Sequence, residues 1–266
     1  MCFILIAHRV RPDLPVLVAA NRDEYYERPT RAAGWWDRSP AVLAGRDERA
    51  GGTWFGVRVD GRFAAVTNLR LRGARAAGVR SRGELAIAAL DHFGPLREFG
   101  KEIERSGGSY GPFNLVFGDH QELYYYSNAR DRHEELGPGV YALANGFLDA
   151  PWPKAVEGRR RFAALVRDTE PDVGALFDLL GDRRVHDDGL PDTGLPPERE
   201  RALSAMFIED RDYGTRCSTV YRLFADGRAD FEERSHAGVF TGPTAAGFSF
   251  RADFAPAMKH ATGLQS

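Results

Sequence analysis

Strand-length apolar runs and stretches of helical periodicity alternate along this chain in five blocks, and that order restricts its fold more tightly than any single motif. The first seventy residues read as strands: CFILIAHRV from Cys2, LPVLVAANRD after a turn at Arg11-Pro12-Asp13, AVLAGRD, and then WFGVRV and RFAAVTN joined at Asp60-Gly61. Ser81-Arg82-Gly83-Glu84 has the capping-box pattern that opens a helix, expected to run through Phe93, and a second helix is expected over Leu96 to Ser106. Strands return with FNLVFGD and ELYYYSNA, joined at Asp119-His120-Gln121, and with GVYALANG. Helical periodicity follows over Pro153 to Asp168 and Asp172 to Leu180. The Asp-, Gly- and Pro-rich segment from Gly181 to Glu198 reads as a loop, with helix or strand resuming near Arg201 to Phe207. TRCSTVYRLF and ADFEERSH close the pattern around Asp226-Gly227. This order predicts an α+β chain, a four-layer αββα sandwich of two sheets between helices, in a single domain of 266 residues.

Two long connections carry unusual composition. Glu24 to Pro40 reads as a polar and aromatic loop with Tyr25, Tyr26, Trp35 and Trp36, and Leu69 to Arg80 is dense in arginine. Loops of that length are where binding surfaces are built. Charge argues against two partner classes. Lysine and arginine (36) nearly balance aspartate and glutamate (38), so no general attraction to nucleic acid or a membrane surface is expected. No stretch approaches the roughly 20 apolar residues of a spanning helix, and the run Phe3 to Ala7 is too short for a signal sequence, so a cytoplasmic location is expected. Two cysteines, Cys2 and Cys217, exclude a disulfide framework, and the histidines show no metal-ligand spacing. Gly51-Gly52 and Gly107-Gly108 lack the pattern of a phosphate-binding loop. No metal or cofactor is expected, and the sequence leaves the oligomeric state open.

Cys2 is the most informative position. Removal of the initiator methionine would give one residue both a thiol, titrating near 8.5, and a free α-amine, titrating at about 7.7 to 8.0, so that nucleophile and base are joined in a single residue. The ordinary reading of a second-position cysteine is a small apolar residue beginning a strand. Asn21-Arg22-Asp23-Glu24 ends the second strand, where a hairpin partner of the first strand would bring Arg22 to stabilise a thiolate and Asp23 to orient amine and thiol. Asn68, Asn114 and Asn145 sit at strand ends, where two amide donors could form an oxyanion hole and where asparagine is ordinarily a turn residue. Arg216 opens a late strand, either as a surface charge or as a cation for substrate or for the Cys2 thiol.

Taken together, Met1-Cys2, Asn21-Arg22-Asp23-Glu24, Gly51-Gly52-Thr53-Trp54-Phe55-Gly56, Thr67-Asn68-Leu69-Arg70, Asn114-Leu115, Asn145-Gly146, Pro151-Trp152-Pro153-Lys154 and Leu190-Pro191-Asp192-Thr193-Gly194 resemble the NRDE family, the transport-and-Golgi-organization-2-like proteins, along essentially the whole chain. That family looks related to N-terminal-nucleophile amidohydrolases of the penicillin-acylase and bile-salt-hydrolase type, which have an αββα fold and cleave non-peptide amide bonds. The resemblance implies Cys2 as nucleophile, Arg22 and Asp23 as its activating neighbours, Asn68 and Asn145 as oxyanion-hole residues, and Arg216 as a further site residue. It implies a small-molecule amide substrate or, since the family is also linked to haem trafficking and intracellular membrane organisation, a non-catalytic protein carrying a hydrophobic ligand such as haem.

Overall fold

The computed structural model describes residues 2–38, 40–73, 80–130, 132–167 and 171–254. The chain opens with strands β1 (Cys2–His8), β2 (Val16–Tyr25), β3 (Thr30–Trp36), β4 (Val42–Asp47), β5 (Phe55–Arg58) and β6 (Phe63–Asn68), followed by helices α1 (Gly83–Asp91) and α2 (Leu96–Ser106). Strands β7 (Phe113–Gly118), β8 (Leu123–Ser127), β9 (Arg132–Glu135) and β10 (Gly139–Leu143) come next, then helices α3 (Pro153–Val166), α4 (Val173–Leu180) and α5 (Pro197–Ala202). The last strands are β11 (Tyr213–Leu223), β12 (Arg228–Ser235), β13 (Phe240–Thr241) and β14 (Ala245–Arg251).

These strands form two sheets, one of six strands in the order β10-β1-β2-β11-β12-β14 and one of eight in the order β13-β3-β4-β5-β6-β7-β8-β9. Alternation along β1 and β2 distributes side chains to two cores. Cys2, Ile4, Ile6, Val16, Val18 and Ala20 pack between the sheets with Phe55, Phe63, Val116 and Phe231. Their neighbours Phe3, Leu5, Leu17 and Ala19 face outward and are covered by Phe162 of α3 and by Leu176, Phe177 and Leu180 of α4. Both faces of β1 are therefore dry, which is why its sequence is a continuous apolar run rather than an alternating one. Across the molecule, α1 and α2 cover the outer face of the second sheet, with Leu85, Ala89, Phe99 and Ile103 against Ala64, Leu115, Phe117 and Tyr124. The result is an α+β sandwich with the expected αββα layering. The turns expected at Asp60-Gly61 and Asp226-Gly227 use φ of 89° at Gly61 and 86° at Gly227, backbone that suits glycine.

Four segments differ from the sequence expectation. The loop expected over Glu24 to Pro40 contains β3, paired antiparallel with β4 and interrupted by a bulge between Arg31 and Gly34. The bulge breaks the alternation, and Ala32, Ala33 and Gly34 are poor strand formers, so no strand pattern is visible. Arg132-His133-Glu134-Glu135 forms β9 at the edge of the second sheet, where charged residues are tolerated because one side is unpaired. β13 and β14 extend the chain's strand content beyond ADFEERSH, with β14 on the edge beside β12. The helix or strand expected near Arg201 to Phe207 is a helix that starts earlier, over Pro197–Ala202, and takes the last residues of the supposed loop. Helix α1 ends at Asp91 because His92 is extended, and only half of its capping box forms: the Ser81 N–H donates to the Glu84 carboxylate at 3.2 Å. Asp168, at the expected end of α3, and residues 74–79 of the arginine-dense loop lie outside the described residues.

Candidate active site

A cavity of about 380 Å³ opens at the end of the sandwich where β1 begins, and Cys2, Arg22, Asp23, Glu24, Trp54, Asn68 and Arg82 are among the residues lining it. Strand register assembles its floor. Cys2 lies opposite Arg22 on β2, and Arg22 lies opposite Cys217 on β11, so the two thiols flank one arginine on the face between the sheets. Arg22 is buried and reaches across to the second sheet. Its Nη1 donates to Thr30 Oγ1 at 3.1 Å, its guanidinium lies 4.3 Å over the Trp54 ring, and Nη2 is 3.9 Å from Asp47 Oδ2. The arginine thus ties β2 to β3 and β4 while its charge stands beside Cys2.

Asn21 and Asp23, one residue to either side, point to the opposite, helix-covered face. Asn21 Nδ2 donates to the carbonyls of Leu180 at 2.8 Å and Met206 at 2.9 Å, and its Oδ1 accepts from Ser218 at 2.6 Å. Asp23 Oδ1 accepts from the Thr215 hydroxyl at 2.7 Å, and that oxygen accepts in turn from the Ile208 N–H at 2.9 Å. Burial pushes the Asp23 carboxyl above its ordinary range, opposed by the positive charge of Lys154. The Cys2 thiol is also raised by burial, which Arg22 partly offsets. Cys2 is accordingly a protonated thiol at neutral pH and needs a base to become a nucleophile.

The expected site residues divide into two groups. Cys2, Arg22, Asp23 and Asn68 all border the cavity, Asp23 with its carboxyl turned to the helix-covered face behind it. Asn145 does not line it: buried at 1% exposure, it uses Nδ2 to donate to the Asn68 carbonyl at 2.9 Å and so fixes the end of β6 from behind. Asn114 is likewise internal, donating to Thr67 Oγ1 at 3.1 Å and the Gly146 carbonyl at 2.8 Å while accepting from Tyr125. Arg216 also lies away from the cavity lining. The bulge between Thr215 and Cys217 turns it aside, and its guanidinium donates to the carbonyls of Tyr25 (2.6 Å), Arg28 (3.0 Å), Ala237 (2.7 Å) and Val239 (2.9 Å). It braces the turn after β2 instead of facing a substrate.

Two residues of this region were not singled out by sequence reasoning. Arg82 lines the cavity, and its side chain has among the described residues one hydrogen bond, to the Pro112 carbonyl at 3.3 Å, and no carboxylate in ion-pair contact. Its sequence signals are the arginine-dense segment before it and its place in the Ser81-Arg82-Gly83-Glu84 pattern, neither of which marks a site. Lys154, on α3, is buried behind the sheet and donates to the carbonyls of Leu203 at 2.8 Å and Ala205 at 3.3 Å. Its signals are the Pro151-Trp152-Pro153-Lys154 segment, in which it has no assigned role, and composition, since the chain contains three lysines and 33 arginines.

Solved structures share this architecture. Penicillin V acylase from Agrobacterium tumefaciens superposes with a TM-score of 0.54 at 13% identity, covering 88% of this chain and 83% of that one. A conjugated bile acid hydrolase from Clostridium perfringens does so with a TM-score of 0.54 at 10% identity, over 93% and 92%. The fold is that of the N-terminal-nucleophile hydrolases. By sequence, the chain is 34% identical over 260 residues to the transport and Golgi organization protein 2 homolog of Bos taurus, covering 90% of this chain and 94% of the relative. It is 31% identical to the homolog of Homo sapiens, over 88% and 93%. Residues 1–238 match the model of one family, so the chain belongs to the family Transport and Golgi organisation 2.

Proposed function

We propose that the protein is a cysteine amidohydrolase of the N-terminal-nucleophile type, acting in the cytoplasm on a non-peptide carbon-nitrogen amide after removal of Met1. The observation that carries this reading is the placement of Cys2 at the end of β1, in the cavity wall, with Arg22 directly opposite and Asp23 and Asn68 beside it. In the reaction, Sγ attacks the amide carbon while the α-amine takes the thiol proton. The developing oxyanion is met by Asn68, whose side-chain amide has no other partner among the described residues. Collapse breaks the C–N bond, the α-ammonium protonates the leaving nitrogen, and an amine departs. Water, deprotonated by the same amine, then cleaves the thioester, giving a carboxylic acid and restoring the thiol. Asn145 and Arg216 enter this reading as residues that hold the site's backbone.

Intact mass and N-terminal sequencing test the first requirement, loss of Met1. A panel of N-acyl amides that includes penicillin V and a conjugated bile acid tests the second. Turnover that disappears in Cys2→Ala supports the reading; full retention of Met1 in an active protein, or unchanged turnover by Cys2→Ala, overturns it.

A carrier reading draws on a second cavity of about 500 Å³ lined by Trp35, Trp36, Arg31, Arg38 and Arg46. Arg46 lies 5.1 Å over the Trp36 ring, which suits a flat ligand with acidic groups such as haem. The lining contains no His, Met or Cys among the described residues, so such a ligand would be held by its faces and carboxylates. Saturable haem binding that is unchanged in Cys2→Ala and lost in Trp36→Ala, with no amide turnover, would favour it over the hydrolase.

A further inference from the structure

Behind the sheet, on the side away from the cavity, five hydrogen bonds converge on the segment from Leu203 to Ile208. Lys154 Nζ donates to Leu203 and Ala205, Asn21 Nδ2 donates to Met206, the Ile208 N–H donates to Thr215 Oγ1, and the Thr215 N–H donates to the Ile208 carbonyl at 2.8 Å. Thr215 in turn donates a hydrogen bond from its hydroxyl to Asp23. Asp23 and Lys154 are thus anchored to the same short stretch of backbone, one from β2 and the other from α3.

A buried ammonium is stable only opposite negative charge. The groups that face Lys154 are Asp23 on β2, Cys2 on β1, Glu200 on α5 and Arg70 after β6, of which Arg70 opposes it. Glu200 is already paired with Arg70 at 2.9 Å and accepts from the Thr193 N–H at 3.1 Å. Asp23 is therefore the carboxylate left to balance Lys154, and it exerts the largest attractive charge effect on that ammonium, as Lys154 does on Asp23. On the Asp23 side, the other groups are the terminal ammonium of the chain, which with Lys154 holds the carboxyl down against burial, Arg22 on β2, aimed at the opposite face, and Tyr213 on β11, whose buried phenol is held neutral by desolvation and by the negative charge of Asp23. The choice of residue fits this role. Arginine supplies 33 of the 36 basic side chains, yet a compact ammonium stands at 154, where two carbonyls close over a single point.

We propose that Lys154 is a positioning residue of the site: its ammonium, fixed by the carbonyls of Leu203 and Ala205, keeps Asp23 ionised behind Cys2. The proposal rests on the reading of Asp23 as partner of Cys2. Its chemistry is simple. An ionised Asp23 accepts stronger hydrogen bonds and favours a protonated amine beside the thiol after attack, whereas a neutral Asp23 accepts weaker ones and supplies no charge to that amine. Lys154 never contacts the substrate and acts only through the charge state of its neighbour.

Two titrations test it, and neither needs a substrate, so their outcome is independent of whether the protein proves to be a hydrolase. With 15N-lysine labelling, three ammonium signals are expected, and the Lys154 signal should titrate at about 8. In Asp23→Asn that midpoint should fall by about one pH unit or more, a tenfold change in proton affinity; an unchanged midpoint overturns the proposal. With 13C-aspartate labelling, the Asp23 carboxyl midpoint should rise by a similar amount in Lys154→Met. If Lys154→Met does not fold, the Asp23→Asn arm decides alone. A catalytic readout separates charge from scaffolding: once a substrate is found, Lys154→Met should shift the acid limb of the kcat profile to higher pH, which a merely structural loss would not do.

Discussion

Replacing Thr215 by valine removes one oxygen and leaves the side-chain volume nearly unchanged, so its effect reports two hydrogen bonds. The hydroxyl donates to Asp23 at 2.7 Å, and the same oxygen accepts from the Ile208 N–H at 2.9 Å, both fully buried. A hydrogen bond to a charged group contributes about 1.5–3 kcal/mol, and an orphaned buried amide costs about 1–3 kcal/mol, so Thr215→Val should destabilise by about 3 kcal/mol at pH 7. The pH dependence follows from the sign of the Asp23 shift. Burial raises its folded-state pKa, so its contribution favours the native state at low pH and is lost as pH rises through the folded pKa. Thr215 is among the groups holding that pKa down, and losing it makes the decline with pH steeper. At about pH 3, below the ordinary carboxyl range that Asp23 exceeds, the carboxyl is mostly protonated in both folded proteins and the difference should shrink to about 1–2 kcal/mol. Urea unfolding at both pH values, with m unchanged, gives the two numbers, and Thr215→Ser serves as the control that keeps the oxygen. A difference below about 1 kcal/mol at pH 7, or one independent of pH, would refute the account of Asp23 as a buried, hydrogen-bonded carboxylate.

Three further outcomes are expected. His8 is buried, with Nε2 at 3.0 Å from the Asp119 carbonyl and its pKa lowered to about 4 by desolvation; its contribution is full above about pH 6.5 and lost as pH falls toward 4, so His8→Gln should flatten urea-measured stability over that window by roughly 2 kcal/mol. A Cβ at Gly158 would stand 2.7 Å from the Phe3 ring, which is fully buried, so Gly158→Ala should lower Tm despite its better helix propensity, with about 1–3 kcal/mol of overpacking outweighing about 1 kcal/mol of propensity. Cys2 lines the cavity while Cys217 is 0% exposed, so a thiol reagent should modify one cysteine in the native protein and two in urea, with the native reaction lost in Cys2→Ala.

The sequence was most readable where one physical demand ruled a segment. β1 needed two dry faces and spelled that as an unbroken apolar run, and the helices on either side of the sheets carried their periodicity openly. β3 was hidden because its bulge cancels alternation, and β9 because an edge strand can be built from Arg132, His133, Glu134 and Glu135. At the site, Cys2, Arg22 and Asp23 follow from a hairpin register that two adjacent strands almost dictate. Asn145 and Arg216 do not: a strand end says nothing about which neighbour an amide will meet, and the bulge at Thr215 decides where Arg216 goes. Lys154 stood in the Pro151-Trp152-Pro153-Lys154 segment, but its role could not be read there, since it depends on α3 folding back over β1 and β10 from more than a hundred residues beyond Asp23.

The pairing of Cys2 with Arg22 also sets a rule of parity for how such a site can change. A strand presents successive side chains to opposite faces, so a slip of one residue in β1 would bury the thiol under α3 and bring Phe3 to the gap between the sheets. A slip of two would restore the face and carry the thiol about 7 Å along the strand, past the arginine that answers it. Gradual displacement is closed to this architecture. Diversity in what the cavity accepts has to come from its walls, Arg82 and the segments around Trp54 and Asn68, while the starting residue of the first strand stays where the lattice of backbone hydrogen bonds has locked it.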